Sequence, residues 1–363
     1  MEIAYLSGAY IPGRGADSVH VMRMCDAWTG QGHKVTLHAR YGPEPARDDF
    51  EFYGTKHTFE IVKHRRPQIR GVGAFAYAAL VLAYLARRKP PELFYAREIY
   101  SLLFALPLNA PWVFEAHWKP RNKLEHNVEA TLYRNAGYRR LVLISQALRD
   151  IYVEEFPWLD QKQMLVAHDA ADVPTYPAPS THAALPGAPL QVGYVGGFLP
   201  GYGLELLEAL ARSRPDIVLH VVGGQDAAVQ AWRARTTSVT NLKLHGFVPP
   251  ARLPELYAEF DVVLAPFQST TAHIRWISPM KLFEYMSFGK PIICSDFPVM
   301  REIISDQQDG LLVKPDDIAS WQRALDQLRD ADTRRRLGDA AFQKFSTHHT
   351  WDRRARDVLA GLG

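Results

Sequence analysis

Apolar strands alternate with amphipathic helices along all 363 residues, a proline-rich stretch interrupts the alternation near the middle, and a glycine-rich turn follows the first strand on either side of the break. Together these features predict an α/β protein of two Rossmann-like domains, each a parallel sheet with helices on both faces. The length also suits two cores better than one. In the first half the strands are expected at Ile3 to Leu6, Val35 to His38, Leu93 to Ala96, Trp112 to Ala116, Leu141 to Ser145 and Met164 to Ala167. Residues 172–190, with prolines at 174, 177, 179, 186 and 189, form the best linker in the chain. Beyond it strands are expected at Gln191 to Val195, Val218 to Val222, Leu242 to Leu244, Val262 to Ala265, Pro291 to Cys294 and Gly310 to Val313. Helices follow across 318–344, and a last one runs from about Trp351 to Leu359.

A hydrophobic content of 47% with 22% charged residues excludes a disordered or fibrous chain, and a net charge of +3 makes no demand for nucleic acid. The basic clusters Lys63-His-Arg-Arg66 with Arg70, and Arg87-Arg-Lys89, flank the apolar run Ala74 to Ala86. That run is shorter than the roughly 20 residues needed to cross a bilayer, so it reads as a core helix. The clusters themselves suit a peripheral contact with anionic lipid. Cys25 and Cys294 offer neither a disulfide framework nor zinc spacing, and the sequence opens on a strand without the regions of a signal peptide. The expected location is the cytoplasm, within reach of the inner face of the cell membrane.

Ser278-Pro-Met-Lys-Leu-Phe-Glu284-Tyr-Met-Ser-Phe-Gly289-Lys-Pro291 carries the most chemical information. Serine is a favoured N-cap and proline a favoured first helical residue, so a helix is expected to open here. The amides of Met280, Lys281 and Leu282 would then point forward at the positive end of the helix dipole, a ready phosphate site. Lys281 and Glu284, three apart, share one face, while Leu282 and Met286 turn to the core. Gly289 and Pro291 stop the helix. Two further turns fit a ligand at the carboxyl ends of strands. Gly13-Arg14-Gly15 follows the first strand, with a helix expected to start at Asp17 or Ser18, and Gly196-Gly197 follows the first strand of the second half.

These segments resemble the retaining GT-B glycosyltransferases of family 4, also called group 1. The resemblance runs in order from the Gly13 loop and Gly32-His33-Lys-Val-Thr through His117 and Gly196 to Glu284 and Glu302. It implies a GT-B fold in which two Rossmann-like domains face each other across a cleft. Residues 1–172, joined by the last helix at about 350–363, would form the acceptor domain, 173–189 the linker, and 190–349 the nucleotide-sugar donor domain. By the same resemblance Glu284 holds the ribose and Lys281 with the helix amides holds the diphosphate. His117, at the end of a strand, lies beside the transferred sugar, and main-chain groups of Phe247 and Val248 line the base pocket. Gly15, Gly196, Gly197, Arg275 and Ser278 complete the expected donor site. Glu115 has no assigned direction. The implied reaction is front-face transfer of a sugar from a nucleotide-diphosphate sugar to a hydroxyl of a glycan or lipid-linked glycan, with no metal and no cofactor beyond that co-substrate. Closure about the linker would exclude water.

The sequence departs from the family pattern in three places. An arginine near Gly197 and a lysine near Tyr202 are missing, and Trp276 stands where the first acid of an E-x7-E pair would be. Lys281 is the first candidate to supply the missing positive charge, followed by Arg275, Arg14 and His273. A nucleotide-sugar 2-epimerase, a disaccharide phosphorylase or synthase, and a non-catalytic nucleotide-binding scaffold share the same build.

Overall fold

The computed structural model describes residues 1–45, 47–65, 72–174, 188–249 and 252–362, which form two compact units. The first comprises Met1–His168 and Trp351–Gly363, the second Asp169–Thr350. Most of the expected linker, residues 175–187, lies outside the described residues, as do Arg66 and Arg70.

The first unit is a seven-stranded parallel sheet of β1 (Glu2–Ile11), β2 (Lys34–Tyr41), β3 (Glu60–His64), β4 (Leu93–Ala96), β5 (Trp112–Ala116), β6 (Tyr138–Leu143) and β7 (Met164–Val166), in the order β3-β2-β1-β4-β5-β6-β7. Its helices are α1 (Ala16–Gly30), α2 (Asp49–Tyr53), α3 (Gly73–Leu85), α4 (Ile99–Ala105), α5 (Lys123–Tyr133) and α6 (Gln146–Glu155). The second unit is a six-stranded parallel sheet of β8 (Leu190–Val195), β9 (Ile217–Val222), β10 (Leu242–Gly246), β11 (Val262–Ala265), β12 (Ile292–Ser295) and β13 (Leu311–Val313), ordered β10-β9-β8-β11-β12-β13. Around it lie α7 (Leu204–Ser213), α8 (Asp226–Arg235), α9 (Leu253–Glu259), α10 (Met280–Ser287), α11 (Ile318–Gln327) and α12 (Ala331–His348), and the chain ends on α13 (Trp351–Leu359), which belongs to the first unit.

Every residue of β4, β5, β11 and β12 is buried, as central parallel strands covered on both faces require. Each sheet reverses its strand order once, between β1 and β4 in the first unit and between β8 and β11 in the second. Loops leaving the carboxyl ends of the strands diverge at such a switch point and open a crevice there, so this topology fixes where a ligand can sit.

Four expectations about elements change. β1 continues to Ile11, and the edge strand β3 is not among the expected strands, because Lys63-His64 reads as part of a charge run. In the fold Lys63 pairs with Asp49 at 2.6 Å and His64 is buried, which removes both from the supposed basic patch. Ser145 does not end a strand; its Oγ caps α6 by accepting from the Leu148 amide at 3.1 Å. The helix expected in the core, α3, buries only Gly73, Tyr77, Ala78, Val81 and Leu85 and leaves Leu80 exposed.

Each unit also sets two histidines against each other across neighbouring strands near its edge; His38, His64 and His220 are buried and His245 is exposed. His38 Nδ1 lies 3.0 Å from His64 Nε2, and His220 Nδ1 lies 3.0 Å from His245 Nε2. One ring of each pair must be neutral to accept. Burial first, and the partner ring second, push His38 down to about 3 and His220 down to about 4. Both values lie below the unfolded one, so the stability they confer is complete above the ordinary histidine range and is lost as pH falls toward 4. The expected loss is about 1.4 kcal/mol per pH unit per histidine. Thermal unfolding followed from pH 7.5 to 4.5 checks this, and a flat melting temperature over that window contradicts it.

Candidate functional site

In the second unit, turns at the ends of β8, β9 and β10 pack backbone against backbone. Gly196 N–H donates to Val222 O at 2.9 Å, and Gly223 N–H donates to Gly246 O at 2.7 Å. Gly223, at φ 114°, comes so close that a Cβ would stand 2.2 Å from Gly196 O, so no side chain fits. Gly197 differs: it is exposed, and the nearest atom to an added Cβ is Leu199 Cγ at 3.8 Å. Phe247 and Val248 follow β10 and are half-buried.

Lys281 reaches this turn from α10. Its Nζ is buried and has no hydrogen-bond partner among the described residues. Aromatic faces surround it, with ring centroids at 4.2 Å for Tyr194, 4.9 Å for Phe267 and 5.2 Å for Tyr202. A Cβ on Gly196 would lie 2.6 Å from the ammonium nitrogen. The rings attract the cation, yet burial dominates and lowers its pKa to about 7, with Cys294 and Glu284 offsetting only part of that effect. Burial thus makes the charged amine costly beside this glycine turn, and an arriving anion would offset that cost.

Glu284, one turn along α10, is half-buried. The buried Tyr257 hydroxyl of α9 donates to Glu284 Oε2 at 3.0 Å, and the Tyr257 ring stacks on Phe288 with centroids 4.5 Å apart. This hydroxyl braces the carboxylate, a contact with no local signature in the sequence.

The opening of α10 corrects part of the sequence reading. The helix starts at Met280 with Pro279, not Ser278, at the N-cap and no side-chain cap bond. Ser278 is buried, and its Oγ accepts from the Asp169 amide at 2.9 Å, which ties it to a distant segment of the same unit. Leu282 N–H closes on Pro279 O at 3.0 Å, so that amide does not point forward. Met280 and Lys281 retain the first-turn amides that a helix cannot use itself. Arg275 is exposed on the preceding turns, and the Tyr202 hydroxyl lies 3.5 Å from His273 Nε2. Trp276 is buried.

In the first unit the turn after β1 is held by its own side chains. Gly13 N–H donates to Tyr53 OH at 2.7 Å while that hydroxyl donates back to Gly13 O, and Ser18 Oγ donates to Tyr10 O. Contrary to expectation neither Asp17 nor Ser18 caps the following helix: Gly15, exposed, occupies the N-cap of α1 without a side-chain bond. Arg14 is engaged elsewhere, with Nε 2.9 Å from Glu44 Oε2.

His117 stands just past β5. Glu115, two residues earlier, points the same way, as alternation along a strand requires. His117 Nε2 lies 2.5 Å from Glu115 Oε1, and His20 Nε2 of α1 lies 2.9 Å from the same oxygen. The other oxygen accepts from the Tyr95 hydroxyl and from Arg354 Nη1, the latter at 3.1 Å. Burial alone would raise the Glu115 pKa, but Arg354, His20 and the bond from His117 outweigh it and hold the carboxylate well below its usual range. His20, Glu115 and His117 bring their ligand atoms within 4.8 Å of one another, the spacing of a small metal site. Two guanidinium groups share the carboxylate, Arg354 and, at 3.9 Å, Arg97, so positive charge already surrounds it.

Comparison with known proteins agrees with this organisation. Residues 18–173 match the model of Glycosyltransferase Family 4, and residues 189–330 match that of Glycosyl transferases group 1. A D-inositol 3-phosphate glycosyltransferase of Stackebrandtia nassauensis is 29% identical over 202 residues, which is 49% of this chain and 42% of that protein. The first curated relatives are matched over only 24% to 42% of their own length. Among solved structures, sucrose-phosphate synthase from Thermosynechococcus elongatus superposes with a TM-score of 0.76 at 19% identity, over 98% of this chain and 97% of that one. Anabaena HepE, solved in complex with UDP and glucose, gives 0.73 at 17% identity, over 100% and 99%. The chain thus consists of two parallel-sheet Rossmann-like domains of GT-B type, and its two halves carry, in order, the sequence marks of family 4 and group 1 glycosyltransferases.

Proposed function

We propose that the protein is a retaining glycosyltransferase, which moves a sugar from a nucleotide-diphosphate sugar to a hydroxyl of a glycan or lipid-linked glycan in cell-surface polysaccharide or glycolipid synthesis. The observation that carries the donor half of this reading is Lys281. It sets an ammonium group with no hydrogen-bond partner among the described residues against Gly196, beside Tyr202, the same neighbourhood in which the resembling family places its phosphate cations. In this reading the diphosphate lies over Gly197 and the Met280 and Lys281 amides. Lys281 takes up charge as the leaving phosphate develops it, and Glu284, braced by Tyr257, holds the ribose. Phe247 and Val248 line the base. HepE, solved with UDP, makes UDP the first nucleotide to try. His117 takes the role beside the transferred sugar that the resemblance gives it. No protein nucleophile, metal or cofactor enters the proposed transfer; the leaving phosphate oxygen takes the acceptor proton.

The acceptor side of the proposal includes a peripheral membrane contact from the cytoplasmic face. No helix among the described residues is long and apolar enough to cross a membrane. Val72 at the N-cap of α3 and Leu80 within it, however, are 51% and 43% exposed, and the helix leads into the exposed Arg87-Arg88-Lys89. Apolar side chains beside lysine and arginine suit an anionic bilayer surface.

A thermal-shift panel of UDP, GDP, ADP, CMP and dTDP tests the donor reading, because a ligand that prefers the folded state raises its melting temperature. One nucleotide diphosphate is expected to stand out, and no shift with any of them at millimolar concentration would move the weight to a scaffold. Gly197→Ala adds a steric control. With open space around the new methyl group the variant should melt like the wild type, yet it should bind the nucleotide about tenfold more weakly, the cost of roughly 1.4 kcal/mol of lost phosphate approach.

A further inference from the structure

Glu115 is a buried carboxylate met by His20, Tyr95, His117 and Arg354, and neither the proposed transfer nor the sequence reading gives it a task. It is fully buried at the carboxyl end of β5, its Oε1 meets His117 and His20, and its Oε2 meets Tyr95 and Arg354. Arg354 arrives from the last helix, where it also donates to His168 O at 2.8 Å and Ala167 O at 3.2 Å. Trp351 of the same helix packs its ring edge on His20, with centroids 5.1 Å apart, and His20 packs on His117 at the same distance. A chain of contacts therefore runs from α13 to the ring of His117.

We infer that Glu115 is a positioning residue that fixes the orientation and tautomer of His117, and that Arg354 of α13 in turn fixes Glu115. This inference rests on the reading that His117 faces the transferred sugar. A carboxylate can only accept, so His117 must present a proton on Nε2. In the neutral ring the lone pair then lies on Nδ1, so that nitrogen can only accept. Arg354 and Tyr95 can only donate to Oε2 in this arrangement, which sets which way the carboxylate plane turns. A retained, folded α13 is thus part of the site even though its sequence carries no site motif.

The test starts from Glu115→Gln. Because Arg354 and Tyr95 both donate, glutamine is expected to turn its oxygen toward them and its amide NH2 toward the imidazoles, which reverses the His117 tautomer to Nδ1–H. ¹⁵N shifts of histidine-labelled protein, with His117 assigned through His117→Asn, read this without any substrate. Wild type should show the proton on Nε2 and Glu115→Gln the proton on Nδ1. A wild-type ring protonated on Nδ1 overturns the inference, and that measurement stands even where Glu115→Gln does not fold. The functional arm follows consumption of UDP-glucose. Glu115→Gln and His117→Asn should each slow it roughly 10²-fold, as misplacement of a site group does, and the double variant should be no slower than His117→Asn. Glu115→Asp should recover part of the rate. Additive losses in the double variant, or an unchanged rate with Glu115→Gln, would reject the positioning role. Should wild type consume no sugar nucleotide, the donor reading fails there while the tautomer still decides the inference.

Discussion

Lys281→Met is expected to lower the turnover of a nucleotide-diphosphate sugar by roughly 10²- to 10³-fold, the cost of removing one group aimed at developing charge. The same substitution should raise the melting temperature. Lys281 is held near 7 by burial, below its unfolded value, so at neutral pH folding costs the chain part of a proton, and methionine inside a box of Tyr194, Tyr202 and Phe267 carries no such cost. A more stable but inactive variant separates a lost function from a lost fold. pH supplies a second signature. Below about 7 the amine is already charged in the free protein; above it, binding a diphosphate must recruit a proton. Nucleotide affinity is thus expected to weaken as pH rises above 7, by up to about tenfold per unit, until the pKa of the complex is reached. Calorimetric titrations from pH 6 to 9 check the slope, which Lys281→Met should abolish. An affinity that ignores pH in wild type would count against Lys281 as the phosphate cation.

Glu284→Ala should weaken nucleotide binding roughly 10- to 100-fold, the loss of about 1.5 to 3 kcal/mol carried by charged hydrogen bonds to two hydroxyls. Tyr257 provides the companion measurement. Tyr257→Phe removes the donor to Glu284 Oε2 while leaving the stack on Phe288, so it should produce a smaller loss in the same direction. A 2′-deoxy nucleotide should lose affinity for wild type and little more for Glu284→Ala. Equal losses in both would place the carboxylate away from the ribose.

Local pattern made the architecture legible, and long-range contacts hid the rest. Strands such as β4, β5, β11 and β12 are short apolar runs buried on both faces, which is why their positions can be read directly. β3 escaped because an edge strand tolerates Glu60 and Lys63, so its alternation dissolves into a charge run. The helix carrying Lys281 and Glu284 was legible from its own residues, including its stop at Gly289, where φ is 58°. Its cap was not. Ser278 bonds to an amide 109 residues away, and no local rule sees that partner. The same holds for Tyr257 on Glu284 and for the aromatic box around Lys281. Glu115 is an intermediate case: a glutamate two residues before a strand-end histidine shares its face, a signal that period-2 reasoning can read. Its counter-charge, Arg354, lies 239 residues on and could not be read.

Hydrogen–deuterium exchange with and without saturating UDP tests the central claim most directly, because it locates the nucleotide without presuming an acceptor. Protection is expected in two segments of the second unit, the turn from Val195 to Gly203 and the stretch from Trp276 to Ser287, with a weaker effect around Phe247 and Val248. Protection confined to the first unit, or absent from both segments while UDP is bound, would contradict a donor site built on Gly197, Lys281 and Glu284.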